Sequence, residues 1–215
     1  MSTRVVRLFP LPNLVLFPHV VQGLHVFEPR YRQMTADALA GDRLIALVKL
    51  QDVLLPDEQR PPIEEVACVG EIVWHEKLAE GRYNLRLRGT GRARIVQELT
   101  TDKLYRTAEV ELLPDVSPPD LALLAELRRD LAAAVYPHFA EGSPARQQLQ
   151  ELFDGDQHLG PVCDILSYAL PLPTDLKQSL LADPHVERRA HAIVDALRLS
   201  AARADRPFPP HFSAN

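Results

Sequence analysis

Arg82, Arg86, Arg88, Arg92 and Arg94 crowd into one short stretch of this 215-residue chain, and no acidic residue stands between Glu80 and Glu98. A guanidinium carries a fixed fork of donors that matches carboxylate and phosphate oxygens two at a time. On a strand, Arg86 and Arg88 fall on one face and Leu85 and Leu87 on the other. Such a stripe could grip an acidic peptide or a nucleic-acid backbone. The plainer alternative is a solvent-facing sheet surface neutralised by Glu71, Glu109 or Glu111 from neighbouring strands. A second group is aromatic: Phe9, Phe17, Phe27 and Tyr31 lie close to the start, with Pro18 among them. Core and turn duty accounts for most such residues, and the remainder can line a groove for extended apolar peptides beside an edge strand. Trp74, the sole tryptophan, is core by default and an interface residue otherwise. The candidate peptide- or partner-binding set is therefore Phe17, Phe27, Tyr31, Trp74, Arg86, Arg88, Arg92 and Arg94.

Catalytic patterns are missing. There is no G-x-x-x-x-G-K-[ST] phosphate loop, no G-x-S-x-G elbow and no serine spaced from a lysine as in a Ser-Lys protease. His75-Glu76 is followed by Ala79 where a zinc-binding helix needs histidine. Glu187 and His191, four apart on one helix, could share a metal, but the pair also fits a solvated salt-bridging face. Asp154-Gly155-Asp156 lacks the ligand series of a calcium loop. No catalytic residue, metal or cofactor is expected. An enzyme using His75 or Glu71 as proton carrier is a third possibility, for which no acid, base and nucleophile can be grouped.

The charge balance argues against a dedicated nucleic-acid binder. Net charge is −5; residues 1–116 carry 15 basic and 16 acidic side chains, and residues 117–215 carry 9 and 13. No apolar run approaches the roughly 20 residues of a membrane span, and the N-terminus has no signal-peptide block. Cys68 and Cys163 sit in apolar surroundings far apart in sequence, which reads as two buried thiols and a cytoplasmic location.

These groups need strands to present them. Residues 4–8, 14–17, 20–27 and 44–50 read as strands, the first two parted by Pro10-Leu11-Pro12-Asn13. Between the last two, Pro29 opens a helix whose buried face is Tyr31, Met34, Thr35, Ala38 and Leu39, ended by Gly41. Residues 51–65, with three prolines and five acids, read as a mobile loop. Strands follow at 66–77, 82–88, 92–99 and 105–113, with a turn at Glu80-Gly81 and a break at Gly89-Thr90-Gly91. Beyond residues 115–120 the apolar period changes from two to about 3.6. Five helices are expected there, one capped by Thr174 and the last opened by Asp183-Pro184. The fold class is α+β: a β-rich domain over 1–115 with one helix, a helical bundle over 116–206 and a disordered tail over 207–215.

The segment Leu8-Phe9-Pro10-Leu11-Pro12-Asn13-Leu14-Val15-Leu16-Phe17-Pro18 resembles the start of the N-terminal, substrate-binding domain of Lon-type ATP-dependent proteases. Phe27-Glu28-Pro29-Arg30-Tyr31 looks like its free-standing bacterial version. Val69-Gly70-Glu71-Ile72 and Gly91-Arg92-Ala93-Arg94-Ile95 add to the likeness, as do Leu170-Pro171-Leu172-Pro173 and Lys177-Gln178-Ser179-Leu180-Leu181. The resemblance covers about residues 5–203. It implies a PUA-like pseudo-barrel followed by a helical bundle, and a role in holding unfolded or tagged polypeptides, with a separate protease as a further partner. It supplies no catalytic residues, and neither an ATPase nor a protease domain follows within these residues. A non-catalytic recognition module, monomeric or weakly dimeric and without a membrane partner, is the leading expectation. The alternative is an RNA-binding PUA-like module using the arginine strands.

Overall fold

A computed structural model describes residues 3–51 and 60–204, with side chains to 200. The centre of the expected loop over 51–65 and the expected tail over 207–215 lie outside the described residues. Six strands form one sheet: β1 (Thr3–Leu11), β2 (Val21–Val26), β3 (Leu44–Lys49), β4 (Val66–Lys77), β5 (Tyr83–Leu99) and β6 (Thr107–Leu113). Six helices accompany them: α1 (Pro29–Leu39), α2 (Leu121–Val135), α3 (Pro144–Asp154), α4 (Leu159–Ala169), α5 (Thr174–Ala182) and α6 (Val186–Ala204). The architecture is mixed α+β.

The strand order is β2-β5-β4-β3-β1-β6, and β5 also pairs with β6. The pairings thus run from β1 through β3, β4, β5 and β6 back to β1, closing a ring of five strands that leaves β2 outside it. Only β1 and β3 are parallel. The strand β2 pairs with β5 alone, so it is the edge strand. Small and β-branched residues fill the core, including Val6, Ala46, Val48, Ala67, Val69, Ala93 and Val110. Their limited bulk suits side chains converging from several strands.

The structure changes several expected boundaries. The strands expected at 82–88 and 92–99 are one 17-residue strand, β5. Gly89 and Gly91 do not break it; they sit at a register shift against Val69 and Gly70, where an extra residue bends the strand without ending it. The strand expected at 14–17 is absent: β1 already extends to Leu11, and the residues after it are irregular, with Val15, Leu16 and Phe17 buried. Thr174 is the first residue of α5, not its cap, and α6 begins after Pro184 because Asp183 terminates α5. Helix α1 buries Tyr31, Met34, Thr35 and Ala38 as its periodicity required.

Two compact units divide the described chain. One comprises Met1–Val116 with Asp164–Pro184, the other Ser117–Cys163 with His185–Asn215. The division is not linear: the C-terminal half of α4 and all of α5 group with the sheet. In that unit the Gln178 amide of α5 donates to the Val66 carbonyl at 2.9 Å. In the other unit α2 packs on α6, and Arg128 ties α2 to the end of α3 through the Phe153 carbonyl at 2.9 Å.

Candidate recognition surface

Strands β2, β5 and β4 lie side by side, and their outward residues align in rows. Val21 faces Arg88, which faces Glu71; Gly23 faces Arg86, which faces Trp74; His25 faces Asn84, which faces Glu76. Leu85 and Leu87 turn inward and are buried. The alternation of β5 places Arg86 and Arg88 outward, as its sequence indicated.

Trp74 departs from its default core role and is 45% exposed. The cause is a register shift between Ile72 and Trp74. Ile72 is inward opposite Leu87, so strict alternation would carry Trp74 inward too; the extra residue Val73 reverses the parity. The Arg86 guanidinium carbon then stands 5.4 Å from the Trp74 ring centroid, within cation–π range. Phe27, also expected as core on balance, is 61% exposed just beyond β2. Its ring lies 6.1 Å from that of His25 at an interplanar angle of 26°. A polar relay crosses the three strands, from His25 Nδ1 to Asn84 Oδ1 at 2.8 Å and from Asn84 Nδ2 to Glu76 Oε2 at 3.1 Å. Asn84 Oδ1 only accepts, so Nδ1 carries the imidazole proton.

The five arginines do not form one basic stripe. Arg88 donates to Glu71 at 2.7 Å, the neutralisation weighed from the sequence. Arg82 lies 3.9 Å from Glu80. Arg94 is exposed. Arg92 is 3% exposed and fully engaged: with Asp164, with Asp115 at 2.9 Å and with the Leu181 carbonyl at 3.1 Å. The extra residue Thr90 turns it to the face opposite Arg88: it pairs with Cys68, on the side of Ile72 and Leu87, where Asp164 of α4 and Leu181 of α5 enclose it. Phe17 is also structural, fully buried with its carbonyl against Gly89. The grouping on which the nucleic-acid reading rested is therefore not present.

Tyr31 lies elsewhere, in the wall of a cavity of about 200 Å³ with Pro10, Leu11, Leu50, Leu104 and Tyr105. Its ring packs 4.4 Å from that of Phe9, and its hydroxyl donates to the Pro10 carbonyl at 3.3 Å. Burial pushes its hydroxyl pKa up. Three of the four cations lining the cavity are paired, Arg106 with Glu98, Lys103 with Asp37 at 3.1 Å and Arg30 with Glu28 at 2.9 Å; Arg60 is the fourth. The Arg106 hydrogen bonds hold the Glu98 carboxyl below its usual range. Burial, then the hydrogen bond to Asp37, raises Tyr105 to about 12. This cavity combines an apolar wall with a rim whose cations are mostly neutralised by carboxylates.

Sequence reasoning missed Gly23, His25 and Asn84 as members of the outward face. The signal was the odd-numbered set Val21, Gly23, His25 and Phe27, which alternates along β2. Among the described residues no cluster of three or more His, Cys, Asp or Glu side chains fits a metal ion, and no helix is long and apolar enough to cross a membrane.

Comparisons with known proteins agree on one family. A family model described as the ATP-dependent protease La (LON) substrate-binding domain matches residues 5–198. Lon protease 1 of Thermus thermophilus is 24% identical over 193 residues, which cover 87% of this chain and 24% of that protein. Lon protease 2 of Syntrophobacter fumaroxidans is 30% identical over 125 residues, covering 57% of this chain and 16% of that protein. The chain thus spans a quarter or less of these relatives' length. Among solved structures, a Lon N-terminal domain protein from Xanthomonas campestris matches at TM-score 0.62 and 24% identity, covering 89% of this chain and 98% of that one. The N-terminal domain of the Mycobacterium avium complex Lon protease matches at TM-score 0.66 and 20% identity, covering 91% and 98%. These two likenesses concern the fold.

Proposed function

The chain belongs to the LON substrate-binding domain family, and on that premise we propose that it is a non-catalytic recognition module for unfolded or tagged polypeptides. One observation carries the reading: the outward face of β2, β5 and β4 presents Trp74 and Phe27 to solvent with Arg86 laid over the indole. Large aromatic residues turned outward cost apolar exposure that a monomer normally avoids, and Trp, Tyr and Arg are the side chains that dominate binding energy at interfaces. An aromatic–arginine surface holds extended chains through apolar contact and backbone pairing, which tolerates varied sequence.

Several finer elements belong to the same reading. The ring of strand pairings supports a PUA-like pseudo-barrel, and the packing of α2 on α6 supports a helical bundle. The buried thiols Cys68 and Cys163 suit a reducing cytoplasm. Clients so held would be passed to a protease.

The test is a titration of this protein with fluorescently labelled, permanently unfolded polypeptides. Saturable binding is expected. No saturable binding across a panel of unrelated unfolded sequences overturns the proposal.

A further inference from the structure

Gly23 occupies the middle of β2 on the exposed face, and nothing within the described chain asks for a glycine there. Its φ is not in the left-handed region, unlike those of Gly81 and Gly142. A Cβ built on it meets no atom within 4 Å, whereas one on Gly89 would stand 2.0 Å from the Phe17 carbonyl oxygen. A glycine in a strand interior is costly, and without a turn or an internal close approach it marks the approach of a ligand or another backbone.

The backbone at this position is oriented for such an approach. Gly89 N–H donates to the Val20 carbonyl at 2.8 Å. Bonded and non-bonded pairs alternate along an antiparallel ladder, so Gly23 and Arg86 form a non-bonded pair and the N–H and C=O of Gly23 face the free edge. The Gly23 carbonyl is satisfied by a side chain: the neighbouring Gln22 amide donates to it at 2.6 Å, and the Tyr168 hydroxyl donates to Gln22 Oε1 at 2.6 Å. A side-chain cap on an edge acceptor guards it against casual pairing and yields to an incoming backbone N–H.

The surroundings select the occupant. Across β5, Arg86 leans away from Gly23 onto Trp74, leaving bare backbone beside a cation. The nearby carboxylates are committed, Glu71 to Arg88 and Glu76 to Asn84. An aromatic ring from a neighbouring strand is the side chain that best covers a strand glycine, and its π face complements the positive charge of Arg86.

We infer that an extended client segment adds to the free edge of β2 and seats an aromatic side chain over Gly23, against Arg86 and between Val21 and His25. This inference rests on the polypeptide-recognition reading and specifies its substrate class: extended segments bearing an aromatic residue.

The test uses two fluorescein-labelled peptides of alternating valine and serine, one with a central phenylalanine and one with alanine in its place. The wild-type chain is expected to prefer the phenylalanine peptide about tenfold, the scale of one well-packed aromatic contact. Gly23→Val fills the seat without an internal clash, and should bring that preference below about twofold while leaving the unfolding temperature unchanged or higher. Gly23→Ala should fall between the two. Gln22→Ala should raise affinity for both peptides alike, by up to about tenfold, since it frees an acceptor worth roughly one hydrogen bond. Equal wild-type affinity for the two peptides, or an undiminished preference in Gly23→Val, overturns the inference while unfolded-polypeptide binding stands. Loss of both peptide and unfolded-polypeptide binding by the wild type overturns both. A dimer that Gly23→Val dissociates with the peptide preference intact assigns the edge to a second copy and also overturns it.

Discussion

The guanidinium of Arg86 stands over the ring of Trp74 with 5.4 Å between its central carbon and the ring centroid, and both side chains are exposed. An exposed pair of this kind adds only about 0.5–1 kcal/mol to the folded state. Its worth lies in preorganisation: the indole is held outward and its face is already charged for a partner.

Trp74→Ala is accordingly expected to lower affinity for unfolded polypeptide by about 30-fold, the level of a binding hot spot. Arg86→Glu should weaken binding of acidic clients more than neutral ones. Both variants should unfold within about 1 kcal/mol of wild type, the scale of the exposed pair that each removes. Anisotropy titration and denaturant melts check the two parts separately.

Arg92 should behave in the opposite way. It is enclosed with Asp164 and Asp115 and donates to the Leu181 carbonyl. Removing one partner of a buried charge network costs about 3–5 kcal/mol. Arg92→Ala is expected to cut stability by that amount in urea unfolding. A change under about 1 kcal/mol, the surface-pair scale, would contradict its structural assignment.

Gly89→Ala is expected to destabilise by more than about 3 kcal/mol, because an added methyl meets backbone and not a yielding side chain. The same change at Gly23, where the space is open, should be neutral or stabilising. Unfolding temperatures of the two variants, side by side, check the contrast.

Alkaline stability provides a fourth check. Burial and the bond to Asp37 raise Tyr105 from 10.0 to about 12. The folded state favours the protonated phenol, so its contribution is whole below pH 10 and is lost as pH climbs from 10 to about 12. Tyr105→Phe should flatten that part of the stability profile relative to wild type. Parallel profiles for the two proteins would contradict it.

Much of this arrangement was legible in the residues. The spacing of Tyr31, Met34, Thr35 and Ala38 fixed the helix face, and the alternation of Leu85 and Leu87 with Arg86 and Arg88 fixed the sides of β5. What stayed hidden was tertiary. Alternation along the sequence groups Arg92 with Arg86 and Arg88, but the extra residue Thr90 turns it to the opposite face, where Leu181 of α5 and Asp164 of α4 hold it. The inserted Val73 changes the side of Trp74, and nothing in its side chain announces a bulge. Gly23 was passed over because a glycine is informative only once its backbone angle and its surroundings are known.

Trp74 is the only tryptophan in the chain, so its emission reports from the proposed surface alone. The most direct measurement is intrinsic fluorescence during titration with a tryptophan-free unfolded polypeptide. A saturable blue shift, following the same curve as a label on the client, is the expected result as the half-exposed indole is covered. Saturable binding of the client with Trp74 emission unchanged would place recognition elsewhere and contradict the assignment.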